Sequence, residues 1–134
     1  MMDDVAINKG AIIGRRLARV REELQDDFAR LEDFTIQDAI VLNLLRACEA
    51  SIDLAMHHVA EARLGIPPSS RDAFELLLQA GKLSPECASA MKKMVGFRNI
   101  AVHSYQQLQR PILEAILQTH LGDFENYLQE LSGN

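Results

Sequence analysis

Residues 39–56 read AIVLNLLRACEASIDLAM, an apolar stretch whose period is that of an α-helix. Apolar residues occupy most sides of this helix, as expected for a central helix that contacts neighbours on two faces. The exception is a polar ridge whose spacings of three, four and four place its members on one side: Arg46, Glu49, Asp53 and His57. Two interpretations of this ridge stay open, a ladder of surface ion pairs or the lining of a cleft.

The rest of the chain also has a helical period, and no segment shows the strict alternation of a strand. Thr35 followed by Asp38 resembles a capping box with the shorter acid, which predicts that the central helix opens there and continues to about Arg63. A first helix is predicted from about Asp3 to Leu31, because apolar residues recur there at three- and four-residue steps.

Later helix boundaries are marked by serines, prolines and a glycine. After a loop at residues 65–68, predicted helices run from Ser69 or Ser70 to about Ala80, from Ser84–Pro85 toward Arg98, and from Arg110–Pro111 to about Leu131. Together these segments predict an all-α, up-and-down bundle of three long and two shorter helices, with residues 1–134 forming a single domain.

Composition is typical of a globular protein, with 48% hydrophobic and 25% charged residues. No apolar run approaches the roughly 18 residues that a transmembrane helix needs, and acidic residues stand where a secretory signal would carry positive charge. We therefore expect a cytoplasmic protein. Cys48 and Cys87 lie in apolar helical contexts and are predicted to be buried free thiols, and the spacing of cysteine and histidine residues predicts no metal site.

The formal net charge of −5 argues against broad electrostatic binding to nucleic acid, although it leaves room for a local basic site. Candidates for such a site flank one region of the sequence: Lys92, Lys93, Arg98 and Arg110, which Arg46 and Arg71 could join in space. If the chain binds RNA, the charge pattern predicts a local contact surface.

The segment RNIAVHSY at residues 98–105 places Arg98, His103 and Tyr105 in one short stretch. Arginine is a permanent planar cation suited to phosphate, and histidine changes charge near neutral pH. On a continuous helix Arg98 and His103 would point about 140° apart. Because Gly96 and the polar run SYQQLQRP weaken the helix here, we expect it to unwind near His103, with Asn99 hydrogen-bonded to one of the two side chains. The purely structural alternative makes Arg98 a helix C-terminal cation and His103 a boundary residue.

RNIAVHSY matches the arginine–four residues–histidine–any residue–tyrosine signature of HepT-like proteins, a branch of the HEPN-domain superfamily. The resemblance extends over about residues 35–131. It includes KKMVGFRN, EASIDLAMH, LGIPPSSRDAF and LGDFENYL. This resemblance implies an all-α homodimer in which the two copies of the motif face a shared cleft.

The resemblance also implies a function. HEPN proteins are typically metal-independent endoribonucleases that need no cofactor, and HepT-like members are toxins of a type VII-like toxin–antitoxin pair with a minimal nucleotidyltransferase antitoxin. Arg98 and His103 would then be the catalytic residues acting on RNA, and Tyr105 would be the residue that the antitoxin adenylylates. Asn99, Glu49 and Asp53 are predicted to support them, the two acids by pairing with Arg98 or Arg46.

A second class of function stays open beside the ribonuclease. In it, the bundle is a non-catalytic companion subunit of a nucleotidyltransferase, and Arg98 and His103 bind nucleotide or phosphate without cleaving RNA. The net charge of −5 is consistent with this alternative, because it leaves little basic surface for a nucleic acid.

Overall fold

The central position of the second helix is confirmed by the structure, a computed structural model that describes residues 3–133. Within that range the chain forms six α-helices and two short 3₁₀ helices, and no strand. The α-helices are α1 (Asp4–Leu24), α2 (Phe34–Glu61), α3 (Ser70–Gln79), α4 (Pro85–His103), α5 (Arg110–Thr119) and α6 (Leu121–Ser132). The 3₁₀ helices are Phe28–Glu32 and Tyr105–Gln107. Helix α2 packs against α1, α3 and α4.

Helix α2 buries apolar side chains on several of its sides, which is why it lies at the centre of the bundle. Its N-cap is Asp33, whose carboxylate accepts hydrogen bonds from the backbone N–H groups of Thr35 and Ile36. The predicted cap at Thr35 is therefore wrong by two residues. Asp38, the other half of the predicted capping box, instead accepts a hydrogen bond from Tyr105.

Helix α1 ends seven residues earlier than the predicted boundary at Leu31. Gln25 and Asp26 both adopt left-handed backbone conformations, with φ of 53° and 52°, which an α-helix cannot continue through. The chain resumes as the 3₁₀ helix Phe28–Glu32, capped by the Asp27 side chain. Leu31 is still buried, so the apolar residues predicted to face the core do so even where the α-helix has ended.

The predicted starts of α3 and α4 are confirmed. Ser69 caps α3, and Ser84 caps α4 with Pro85 in its first turn. Gly81 follows α3 with a φ of +76°, a conformation that favours glycine. The Glu130 carboxylate accepts hydrogen bonds from the backbone N–H and the hydroxyl of Ser84, so the start of α4 is tied to α6.

The predicted last helix is two helices, which corrects the count of three long and two shorter elements. His120 departs from helical backbone angles, with φ −118° and ψ −2°, and its ring pairs with the Asp123 carboxylate at 2.9 Å. Both halves keep the apolar stripe against the core. Tyr127 of α6 is buried, stacks edge-on with Phe74 of α3 and donates a hydrogen bond to the carbonyl of Ser51 at 2.9 Å.

Cys48 and Cys87 are buried and unbridged, as predicted. Burial raises the pKa of each thiol to about 12, which removes the thiolate needed for reactivity near neutral pH. In the part of the chain that is described, no helix combines the length and apolarity required to cross a bilayer.

Candidate active site

Helix α4 runs without interruption through the first six residues of the RNIAVHSY segment. Gly96 lies inside it, and the helix ends only at His103, with Ser104 as its C-cap. The expected end of the helix near His103 is confirmed, but α4 does not unwind between Arg98 and His103, because the polar run weakens the helix only from Ser104 onward. Five residues of continuous helix place the two side chains about 140° apart and about 7.5 Å apart along the axis.

Three side chains hold the Arg98 guanidinium. Its Nε donates to Oδ1 of Asn99 at 2.9 Å, and Nη2 donates to the Ser70 hydroxyl at 3.2 Å. Nη1 lies 3.7 Å from a carboxylate oxygen of Glu49. The arginine side chain keeps 22% exposure, so part of its planar fork still faces solvent. A cation fixed in this way is preorganised to bind a phosphate.

The predicted contacts of Asn99 and Glu49 with Arg98 are thus present in the structure. Ser70 is a further partner that sequence reasoning did not connect to Arg98. It was recognised only as a candidate helix cap, and the neighbouring Ser69 takes that role. No local pattern indicated that the first turn of α3 packs beside α4 at this point.

The polar ridge of α2 divides between two neighbours. Glu49 faces Arg98 of α4, whereas Asp53 pairs with Lys9 of α1 at 3.1 Å. The predicted pairing of Asp53 with Arg98 or Arg46 is therefore wrong, because α1 lies along that part of α2. The ridge is an ion-pair ladder at one end and part of the Arg98 site at the other.

The far end of the ridge collects metal-ligand types of side chain. His57 Nε2 lies 2.6 Å from Asp3, and candidate ligand atoms of Asp3, His57 and Glu61 all lie within 4.8 Å of one another. Hydrogen bonding to the Ala6 backbone, and then to His57, lowers the pKa of Asp3. His57 lies about 12 Å beyond Glu49 along α2, so these groups are separate from the Arg98 site.

His103 is exposed at the last turn of α4. Its ring makes no hydrogen bond or ion pair with any other residue of the range 3–133. Asn99 lies one turn earlier on the same side of the helix, since residues four apart share a face. The histidine is therefore available to an incoming group, whereas Asn99 is already bound to Arg98.

Tyr105 opens the 3₁₀ helix Tyr105–Gln107 and is 41% exposed. Its hydroxyl donates to the Asp38 carboxylate of α2. Partial burial, and then this hydrogen bond, raise the pKa of Tyr105 to about 12. The phenol is thus protonated near neutral pH and partly exposed to solvent.

Exposed apolar side chains lie between two contacts of α2. In one contact Glu49 pairs with Arg98 of α4, and in the other Asp38 accepts a hydrogen bond from Tyr105, just after α4. Leu42 lies between the two α2 residues and Val102 between the other two, and each is 48% exposed. The helical spacing places Leu42 near the face of Asp38 and Val102 near the face of Arg98. Arg98 and Tyr105 therefore flank one surface with an apolar centre.

The sequence profile of the ribonuclease HepT-like family matches residues 13–131. The chain belongs to the ribonuclease HepT-like family. It is 46% identical over 127 residues to a protein named mRNA nuclease HepT from Shewanella oneidensis, a match that spans 95% of this chain and 96% of the relative.

Solved structures agree with this HepT-like assignment. The tri-AMPylated HEPN toxin of Shewanella oneidensis in complex with MNT antitoxin has a TM-score of 0.94 and 44% identity, over 99% of this chain and 100% of that one. A toxin–antitoxin structure with AMP-PNP also has a TM-score of 0.94, with 43% identity over 98% of this chain and 100% of that one. The Bacillus subtilis protein YutE, at 14% identity and a TM-score of 0.72, shares the fold. The all-α, HEPN-like prediction is confirmed.

Proposed function

We propose that this HepT-like chain is the toxin of a toxin–antitoxin pair, an endoribonuclease that a nucleotidyltransferase antitoxin neutralises by adenylylation. Its 46% identity to an mRNA nuclease and its likeness to an AMPylated HEPN toxin support this activity. The observation that carries the proposal is local. Within the signature RNIAVHSY, Arg98 is fixed by three side chains while His103 remains exposed.

The chemistry assigned to these residues is a transesterification within the RNA. The ribose 2′-oxygen attacks the adjacent phosphorus, the bond to the 5′-oxygen breaks, and a cyclic phosphate and a 5′-hydroxyl result. His103 takes the 2′-hydroxyl proton or gives a proton to the leaving oxygen. Arg98 binds the phosphate and stabilises the charge that develops on it. The held guanidinium suits this role because it needs little reorganisation during the reaction.

Tyr105 is the proposed acceptor of the adenylyl group: its phenol oxygen would attack the α-phosphorus of ATP held by the antitoxin, with pyrophosphate leaving and the phenol proton passing to solvent. Its hydroxyl lies at the exposed rim of the surface that Arg98 flanks. An adenylyl group there adds bulk and a negative phosphate, which would compete with or repel an anionic RNA. The same addition removes the O–H group that donates a hydrogen bond to Asp38, so this contact between Tyr105 and α2 is lost.

A homodimer is proposed on the basis of the exposed surface around Leu42 and Val102. Because α4 is continuous, Arg98 and His103 of one chain diverge around the helix, and a second copy would close a cleft over both. Large apolar side chains exposed on α2 and α4 favour such an interface. Leu42→Arg combined with Val102→Arg should yield a monomer in light scattering, whereas Val5→Arg on α1, at a residue 46% exposed, should not. A double variant that stays dimeric would remove this interface.

The activity is tested with purified protein, labelled RNA and a chelator. Cleavage should persist in the chelator and yield a cyclic phosphate and a 5′-hydroxyl. Co-expression with the cognate nucleotidyltransferase should raise the intact mass in steps of one adenylyl unit and abolish cleavage. The Tyr105→Phe variant should gain no mass and should keep cleaving. Products with a 3′-hydroxyl would contradict the mechanism, and mass gained by Tyr105→Phe would contradict the modification site.

The second candidate, a non-catalytic companion of a nucleotidyltransferase, is favoured by the net charge of −5. It predicts a purified protein that cleaves no RNA under any condition but binds its partner tightly when ATP is present. The cleavage assay described above separates the two.

A further inference from the structure

A groove of about 350 Å³ lies between α3 and α4. All the residues that line it precede Arg98 in the sequence. Its charged lining is basic: Arg71 comes from the first turn of α3, and Lys92 and Lys93 come from the middle of α4. Leu78, Pro85 and Ala88 supply an apolar wall. The whole chain has a net charge of −5, so this cluster of cations is a local departure from the overall charge.

Among residues 3–133, two of the three cations have no acidic partner. Lys92 forms an ion pair with Glu75 of α3. In contrast, within residues 3–133 no carboxylate pairs with Arg71 or Lys93, although both lie at the groove. One carboxylate against three cations leaves the groove with a local excess of positive charge. Uncompensated arginine and lysine side chains are the groups that neutralise nucleic-acid phosphates.

The Arg71 side chain is held flat against α4. Its Nε donates to the backbone carbonyl of Lys92 at 3.3 Å. One terminal nitrogen lies 2.9 Å from the position that a Cβ would occupy at Gly96, closer than real Cβ contacts allow. Glycine in a helix interior is unfavourable, so its presence here needs a reason. The guanidinium that crosses the helix at this glycine supplies one.

This groove is continuous with the Arg98 site through two consecutive residues. Ser70 accepts a hydrogen bond from Arg98, and the next residue, Arg71, lies across Gly96. Along α4, Lys93 precedes Arg98 by five residues, about 7.5 Å of helix axis. The first turn of α3 therefore supplies one cation, Arg71, and holds a second, Arg98, through the hydroxyl of Ser70.

We propose that Arg71 and Lys93, with Gly96 as the seat for Arg71, form a second phosphate-binding subsite for the RNA strand. It would bind a phosphodiester next to the one held by Arg98. This proposal rests on the proposed ribonuclease function, and it adds residues that contact substrate away from the bond that is cleaved. The contacts would be to the backbone and so would contribute affinity without base specificity.

The test measures the affinity of the protein for RNA, without a cleavage step. A labelled single-stranded RNA is titrated in fluorescence polarisation against the His103→Ala protein, which holds Arg98 but leaves the RNA intact. Arg71→Ala and Lys93→Ala should each weaken binding several-fold at low salt. Each should also reduce the slope of log affinity against log salt by about 0.7, the value for one phosphate contact on a single strand.

Two variants sharpen the result. Gly96→Ala keeps every charge but displaces the Arg71 guanidinium, so it should weaken binding about as much as Arg71→Ala does. Arg15→Ala is the matched control, since Arg15 is an exposed arginine of α1 that lines a different basic groove with Arg16 and Arg19. It should leave both affinity and salt slope unchanged.

Three outcomes would overturn the subsite. The first is unchanged RNA affinity and salt slope in both Arg71→Ala and Lys93→Ala. The second is a loss seen only with Arg15→Ala, which would move the RNA to α1. The third is intact RNA binding in Arg71→Ala with weakened capture of the antitoxin, which would assign the groove to a protein partner. A His103→Ala protein that binds no RNA at all, while wild type cleaves none, would instead count against the proposed function.

Discussion

Arg98 and His103 lie five residues apart on the same helix, yet their surroundings differ. Asn99, Ser70 and Glu49 contact the arginine, whereas the histidine ring makes no hydrogen bond or ion pair with the other residues of the range 3–133. The single chain therefore fixes the side chain proposed to bind phosphate and leaves the side chain proposed for proton transfer open. This difference is consistent with a substrate, or a second subunit, completing the environment of His103.

The largest effect is expected from the exposed residue. His103→Ala should lower RNA cleavage by about 10²–10⁴-fold, because it removes the group assigned to proton transfer. Since the exposed ring makes no hydrogen bond or ion pair with other described residues, the thermal midpoint should not change. Single-turnover cleavage and thermal denaturation measure the two quantities. Wild-type cleavage by this variant would mean that the exposed histidine takes no part in the chemistry.

Arg98→Lys tests the held residue next. Lysine keeps the charge but lacks the planar fork that binds Asn99 and Ser70 together, so we expect cleavage to fall by about 10²-fold. RNA affinity at low salt should fall much less, because one positive charge remains. Comparison of KM with kcat separates these effects. Equal activity in the lysine variant would show that only charge matters here and that the three contacts are incidental.

Asn99→Ala and Ser70→Ala weaken the hold on Arg98 without removing it. Each deletes one hydrogen bond to a charged group, and we expect a loss of about fivefold in kcat. Combining both should cost more than the sum of the two free-energy changes if they hold the same guanidinium. Simple additivity in this double-mutant cycle would argue against a shared positioning role.

The smallest effect is expected at Asp53. It pairs with Lys9 on α1 and is 58% exposed, so Asp53→Asn should change cleavage by less than about twofold. Glu49→Gln, one turn earlier on the same ridge, is the matched comparison and should reduce cleavage more. If the two variants behaved alike, the division of the ridge between α1 and α4 would have no functional meaning.

Local chemistry made much of the fold predictable. Ser69 and Ser84 act within one helical turn of the groups they cap, so the starts of α3 and α4 could be identified from a few neighbouring residues. The end of α1 and the break between α5 and α6 were misplaced. The apolar stripe continues past Leu24 and past His120, but the backbone leaves the helix at both positions. Hydrophobic periodicity indicates which residues face the core. A 3₁₀ turn or a kink can keep those residues facing the core, so periodicity alone does not show where the helix ends.

In the candidate site, too, residues close together in the sequence were identified more reliably than contacts between helices. Arg98, His103 and Tyr105 were identified from the sequence, because they lie within eight residues that match a signature. Asn99 was also identified, since it is adjacent to Arg98. Ser70 was missed and Asp53 was assigned to the wrong partner, and both errors concern contacts between helices.

The sequence by itself determined an all-helical chain with a central apolar helix and one stretch that concentrates the reactive side chains. Those properties depend on hydrophobic period, on caps and on residue type, which act over a few residues. Only the tertiary structure decided that Ser70 and Glu49 meet Arg98, and that Asp38 meets Tyr105. Such contacts depend on how helices far apart in sequence are packed and rotated against one another, and a rotation of one residue, about 100°, is enough to exchange one partner for another.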